Sequence, residues 1–228
     1  MKKTNKRFIA ALVVGLSLVA AACGSSDDAA EETPAAAGGE LEGMKGTMPL
    51  VALSDEFKTG MNEFWVAAGN AELTDFSYAA EAFDSVMLVA LAAEAAKTDG
   101  SALAGEIMNV SRDGETCTEF AACVELIKAG TDINFEGVSG PQDMNGNGEP
   151  IKASYGVLTF DATNRFDYAD AEYILADLPE SDYVDLQPPT VERAGDGVLK
   201  IGTLLPETGN LAFLGPPEFA GVEYAISL

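Results

Sequence analysis

The spacing of apolar residues predicts two long helices in the middle of the chain. In residues 55–70, Phe57, Met61, Phe64 and Trp65 recur at helical spacing, which is typical of a side that packs into a core. Residues 77–97, SYAAEAFDSVMLVALAAEAAK, are apolar on most sides and end at a TDG turn signal. Such a sequence predicts a helix that other elements cover.

Two further segments have the pattern of strands. Residues 151–159 alternate apolar and polar positions, as in a half-buried strand. The continuous apolar run at 198–206 is followed by a turn and by Pro216 and Pro217, which suit a helix start. This order predicts a buried parallel strand and then a helix. Between the two segments, residues 162–196 are acidic and irregular, and we interpret 178–197 as a linker.

The start of the chain has the features of an export signal. Four basic residues among the first seven precede the apolar run Phe8–Ala22, which is short for a membrane-spanning helix. Residues 1–22 followed by Cys23 resemble a bacterial lipoprotein signal, in which the cysteine is lipidated. The alternative is a plain secretory signal with an incidental cysteine. Residues 23–40 are small and acidic, so we expect a disordered tether between a membrane and the domain.

Composition excludes several classes of function. The net charge of −24 disfavours nucleic acid as a partner, because phosphate binding requires clustered lysine and arginine. Histidine is absent, which removes the usual Ser-His and Cys-His catalytic pairs. With no nucleophile motif and no phosphate-binding loop, we expect neither an enzyme nor a bound cofactor.

Cys117 and Cys123 are the other two cysteines. In an exported protein they are expected to form a disulfide, which requires Cys117 to lie before the helix predicted to begin after Thr118. Free thiols and a metal site are the alternatives. The segment DMNGNGE at 143–149 matches the front of a calcium loop, but Ser154 stands where the acidic ligand belongs. A tight Asn-Gly turn is the other interpretation.

Two segments resemble one family. KIGTLLPETGNLAFLGPPEFAGVEYAI is similar to the N-terminal strand, loop and helix of Leu/Ile/Val-type solute-binding proteins of ABC transporters. The earlier segments GTMP, AFDSVMLVALAAEAA and FEGVSGPQDMNG are similar to the C-terminal portion of the same proteins. The positions that carry the first resemblance are Thr208, Gly209, Ala212, Gly215, Glu218, Gly221 and Ala225.

The resemblance implies an α/β fold of the type I periplasmic binding proteins. Here we expect only part of one or both lobes, with a mostly parallel sheet flanked by helices. Residues 41–177 correspond to the family's C-terminal part and 198–228 to its N-terminal part, so the order is reversed and the middle of the family is missing. Leu214, together with Thr208 and Gly209, falls in the loop that touches the ligand side chain in relatives, and Tyr78 where relatives place a pocket aromatic. Each of these residues could equally pack in a core.

The resemblance also implies a function. The first hypothesis is a solute-binding lipoprotein of an ABC uptake system for branched-chain or other amino acids. It would close its lobes on the solute and deliver it to a membrane permease, and a lipid would hold it on the extracytoplasmic face of the membrane. The second hypothesis is a truncated or rearranged fragment that binds nothing.

Overall fold

The computed structural model describes residues 39–178 and 192–228, and these form one unit. The predicted signal, Cys23 and almost all of the tether lie outside the described residues, as do residues 179–191 of the predicted linker. The described chain has mixed α/β structure, in which small sheets are flanked by helices, as expected for a partial type I binding-protein fold. Within these residues, no helix is both long and apolar enough to cross a membrane.

The elements follow the chain in a simple order. Strand β1 (Lys45–Pro49) precedes helices α1 (Asp55–Ala67), α2 (Ala79–Ala96) and α3 (Leu103–Asn109). Strand β2 (Glu115–Cys117), helix α4 (Phe120–Lys128), strand β3 (Ile133–Gly137) and strand β4 (Gly140–Pro141) come next. Strands β5 (Lys152–Phe160) and β6 (Phe166–Asp177) form a long hairpin, and helix α5 (Gly215–Ser227) ends the described chain.

The predicted long helices are confirmed as α1 and α2. Ser54 caps α1 by accepting a hydrogen bond from the Phe57 N–H at 3.1 Å, and Phe57 and Met61 are buried as their spacing predicted. Helix α2 lies at the centre of the core. Its apolar side chains, among them Phe83, Met87 and Leu91, are buried. The remaining core residues come from α1, β2, α4, β3 and α5, together with Leu73 and Val110.

The prediction of a mostly parallel sheet is wrong for the described strands. In the sheet ordered β1-β5-β6, both pairings are antiparallel, and in the sheet β2-β3-β4 only β2 and β3 run parallel. The connections explain this result. Residues 161–165 join β5 to β6 and residues 138–139 join β3 to β4, whereas a parallel pair needs a crossover of a dozen or more residues.

Two local predictions are also wrong. Residues 162–196 were expected to be irregular, yet Phe166–Asp177 form β6 because they pair along the full length of β5. Residues 198–206 were expected to form a buried strand, but no described strand pairs with them, and Leu204 is fully exposed. A continuous apolar run forms a strand only where a neighbouring strand can hydrogen-bond to its backbone N–H and C=O groups. The helix that follows this run is confirmed as α5, with prolines in its first turn.

Two smaller sequence predictions concern a helix start and a turn. Helix α4 begins after Glu119 rather than Thr118. The segment 143–149 is a turn: Asn145 Oδ1 accepts the N–H groups of Asn147 and Glu149 at 2.9 and 3.0 Å. The Asp143 carboxylate, at the start of this turn, forms a salt bridge of 3.2 Å with Lys152, the first residue of β5.

A disulfide joins Cys117, at the end of β2, to Cys123 in α4. Both residues belong to the buried core, and their Cα atoms are 5.5 Å apart. Cys117 therefore precedes the helix, the placement that a bridge over this spacing requires. A loop this short stabilises the fold by about 2 kcal/mol through the chain entropy of the unfolded state.

Candidate functional site

A cleft of about 670 Å³ opens on one side of the described chain. Its walls come from four places: the chain that leaves β1, the start of α1, residues 74–81 at the start of α2, and the β5–β6 hairpin. The lining residues are Pro49, Leu50, Val51, Leu53, Lys58, Thr74, Asp75, Phe76, Ser77, Tyr78, Glu81, Phe160, Asn164, Arg165, Phe166 and Tyr168.

The wall at the start of α2 is held in place by an aspartate turn. Asp75 Oδ1 accepts the backbone N–H of Ser77 at 2.9 Å and its hydroxyl at 2.7 Å, and Ser77 is buried. This is an Asx turn, in which the short side chain replaces a backbone acceptor. Tyr78 follows with φ of 62°, a left-handed conformation that is uncommon for a residue other than glycine. Strained backbone of this kind often occurs where a ligand is held.

The opposite wall is the β5–β6 hairpin. Asp161 Oδ1 accepts hydrogen bonds from Thr163 N–H, Thr163 hydroxyl and Arg165 N–H at 2.7, 2.6 and 3.0 Å, which closes the turn. The side chain of Asn164 fastens this turn to the start of the domain by accepting the Leu41 N–H at 2.9 Å. Arg165 and Phe166 are thereby brought to the rim of the cleft, with Tyr168 further along β6.

Charges of both signs surround the cleft. Lys58 lines it and pairs with Asp55 on the same helix at 2.9 Å. Glu81 lies on the other side, and burial raises the pKa of its carboxyl group. The pKa of the Tyr168 hydroxyl is raised by burial, by the negative charge of Asp75 and by Tyr78, while a side-chain hydrogen bond with Ser77 acts in the opposite direction. Tyr168 therefore stays protonated and available as a hydrogen-bond donor at neutral pH.

The residues predicted to touch a ligand are not all at this cleft. Tyr78 lines it, whereas Thr208 and Gly209 lie in an exposed loop and Leu214 is half-buried just before α5. Ligand contact by these residues stays a prediction. Asp75, Ser77, Arg165 and Tyr168 were missed, because β5–β6 pairing brings together positions that are distant in sequence. The alternation of Phe166, Tyr168 and the small residues around them was the available signal.

The described residues contain no cluster of three or more histidine, cysteine, aspartate or glutamate side chains suited to hold a metal ion. What the cleft offers instead is a mixture of aromatic faces, hydroxyl groups and single charges. A concave site of this size with a few polar groups is typical of small-molecule binding.

Comparison with family profiles supports the same kind of site. Residues 26–163, more than half of the chain, match the receptor family ligand binding region. The match includes α1, α2 and β5, together with most of the cleft, and stops before β6 and before α5. Comparison with curated proteins and with solved structures gives no match. This family groups ligand-binding domains rather than enzymes, includes Leu/Ile/Val-binding proteins and takes small molecules. The chain belongs to the family of receptor ligand-binding regions, whose members resemble type I periplasmic binding proteins.

Proposed function

We propose that this protein is the solute-binding component of an ABC uptake system and takes a branched-chain or other amino acid in the cleft at Tyr78. The observation that carries the proposal is that basic, acidic and apolar side chains line the same cleft. Lys58 and Arg165 are suited to a carboxylate, Asp75 and Glu81 to an ammonium group, and Leu50, Phe160 and Phe166 to an apolar side chain. Delivery to a membrane permease would follow closure of the protein on its solute.

The proposal includes a lipid anchor on Cys23 at the extracytoplasmic face of the membrane. It is supported by the basic and apolar residues that precede the cysteine and by the small residues around it. In a bacterial host, we expect the protein to partition with the membrane fraction and into detergent. A Cys23→Ser variant should move to the aqueous fraction. Equal partitioning of both proteins would contradict lipidation at this residue.

A thermal-shift screen tests binding directly. Leucine, isoleucine, valine, the other amino acids and small amides are added to the purified protein. A true ligand at 100 times its dissociation constant should add about 2.7 kcal/mol of stability, because it binds only the folded state. A shift with one group of related solutes is expected. The absence of any shift across the panel would reject the proposal.

The second candidate is that the protein is a truncated or rearranged fragment that binds no solute. One observation favours it: the apolar run 198–206 has no strand partner among the described residues, although its pattern predicts burial. The same screen separates the two candidates, since a fragment without a working cleft gives no shift with any solute.

A further inference from the structure

A second pocket, with a volume of about 470 Å³, shares no lining residue with the cleft described above. It lies between the starts of α1 and α4, the first half of α2, the end of β3 and the end of α5. Phe57, Phe83 and Phe135 line it and are buried, so they form its floor. Glu56 and Glu119 line it and are exposed, so they stand at its rim. The pocket therefore has an apolar floor and an acidic rim.

Aromatic rings make up much of the wall of this pocket. The ring centroids of Phe57 and Phe83 are 5.2 Å apart, and that of Tyr224 lies 6.0 Å from the first and 5.8 Å from the second. Phe135 in β3 and Phe120 in the first turn of α4 also line the pocket. The negative face of an aromatic ring attracts a cation that lies within about 6 Å of its centroid. The walls therefore favour a ligand that carries positive charge on an apolar group.

The charged side chains of the pocket have one sign. Among the described residues that line it, Glu56, Asp84 and Glu119 are acidic and none is lysine or arginine. The salt bridges of the described residues use other carboxylates. An anionic ligand would meet like charges here, with no protein cation in the wall to bind it. The charges and the rings thus favour the same class of ligand, a cation.

Asp84 decides which kind of cation fits the floor. Its buried carboxylate already accepts four hydrogen bonds, from the N–H groups of Val138 and Ser139, the Ser139 hydroxyl and the Gln142 amide. The other buried residues of the lining are phenylalanines and Met87. A primary ammonium has three N–H donors, which would leave water without finding acceptors on this floor. A quaternary ammonium has no N–H group, and its methyl groups can contact the rings.

We propose that this pocket is a second binding site, which takes small organic cations with a quaternary, methylated nitrogen. The methyl groups pack against the phenylalanines of the floor, and the carboxylates of Glu56 and Glu119 attract the charge from the rim. The site is independent of the proposed amino-acid site, because the two have no residue in common.

The experiment compares choline with two related compounds. 3,3-Dimethylbutan-1-ol has the shape of choline with carbon in place of the charged nitrogen, and 2-aminoethanol has a primary ammonium in place of the quaternary one. Ligand-observed NMR titrations of the whole protein measure the dissociation constants, including millimolar ones. Two variants change the pocket, Phe120→Leu and the double variant Glu56→Gln/Glu119→Gln. These side chains are exposed or half-buried, so we expect both variants to fold, and circular dichroism checks this.

We expect the wild type to bind choline at least about tenfold more tightly than either related compound, because only choline combines a charge with an apolar shell. Phe120→Leu should weaken choline binding by a factor of about three to ten, since leucine is apolar but has no ring. The double glutamine variant should weaken it by about threefold or more and leave the neutral alcohol nearly unchanged.

Three matched controls should bind choline as the wild type does. Glu63→Gln/Glu223→Gln removes two negative charges at exposed positions outside the pocket. Phe213→Leu removes an exposed ring outside the pocket. Tyr168→Leu removes a ring from the other cleft, so it reports whether choline binds there instead.

Each other outcome would overturn the inference. Equal binding of choline and the neutral alcohol would show that charge plays no part, and equal binding of 2-aminoethanol would show that methylation plays none. A loss of choline binding in Tyr168→Leu but not in Phe120→Leu would place the cation in the cleft. If none of the three compounds binds the wild type, the pocket is not a site for such cations. None of these results bears on amino-acid binding, which the thermal-shift screen tests separately.

Discussion

Gly221→Val in α5 is expected to lower the free energy of unfolding by about 3 kcal/mol, because the helix has no room for a side chain there. A Cβ atom at Gly221 would collide with the carbonyl oxygen of Ala79 and lie 3.3 Å from the Phe83 backbone nitrogen. Both obstacles are backbone atoms of α2, so they cannot rotate away as a side chain could. The helices must separate, and this separation disturbs the packing of Tyr224 against Phe57 and Phe83.

Urea unfolding measures the effect, and Gly202→Val is the matched control. Gly202 has open space around the position of a Cβ and no left-handed backbone, so valine is expected to have little effect there. Gly221→Ala should fall between the wild type and the valine variant. Alanine favours a helix by about 1 kcal/mol over glycine, and that gain offsets part of the collision. If Gly221→Val is as stable as the control, the result contradicts the close contact between the backbones of α2 and α5.

The helices could be predicted from sequence because their signals are local. Phe57 and Met61 repeat at the period of one helix turn, and Pro216 and Pro217 mark the start of α5. Neither signal depends on a distant partner. The contact of Gly221 with α2 could not be predicted in the same way, since a glycine within a helix gives no indication of which backbone approaches it.

The strands were less predictable because a strand exists only with its neighbour. Residues 198–206 have the stronger apolar pattern, yet they remain unpaired among the described residues. Residues 166–177 carry four acidic side chains and still form β6, because they pair with β5 from Lys152 opposite Asp177 to Phe160 opposite Phe166. The acidic positions are mostly exposed on this edge strand, where charge is tolerated.

The candidate site was therefore only partly predictable. Tyr78 was found through its position just before a recognisable helix, and the structure places it at the cleft. Asp75 lies close by in sequence, but its role depends on the Ser77 turn and on Tyr168 from a strand that the pattern did not reveal. Residues that reach a site through long-range pairing cannot be assigned from spacing alone.

Asp84 occupies a different part of the core and links α2 to the turn between β3 and β4. Its carboxylate is fully buried and accepts hydrogen bonds from Val138 N–H at 3.0 Å, Ser139 N–H at 2.7 Å and Gln142 Nε2 at 3.2 Å. The Ser139 hydroxyl also donates to it, and Gly137 leaves the space that the carboxylate fills. This one side chain therefore accepts the backbone N–H groups of both residues that join β3 to β4.

Asp84 is expected to make the protein less stable as the pH rises from 4.5 to 7.5. Burial raises the pKa of the Asp84 carboxyl from its ordinary value of 3.8 to about 6, the nearby charge of Glu81 adds to the rise, and the hydrogen bonds from Ser139 and Val138 oppose it. The folded protein therefore favours the protonated form. Its contribution is fully present below a pH of 3.8 and is lost as the pH passes through about 6. The whole shift corresponds to about 3 kcal/mol, of which about 2 kcal/mol falls in this interval.

Asp84→Asn isolates that contribution, because asparagine does not ionise. The variant loses one acceptor and is expected to be less stable than the wild type at pH 4.5. Its deficit should shrink by about 2 kcal/mol by pH 7.5, where the wild type has ionised. Glu223→Gln, at an exposed position of α5, controls for the general effect of removing one negative charge from a protein with a net charge of −24. Urea unfolding at each pH measures the difference, and starting at pH 4.5 keeps the protein above its isoelectric point of about 4.1. Parallel stability curves for the wild type and Asp84→Asn would show that Asp84 does not titrate in this range.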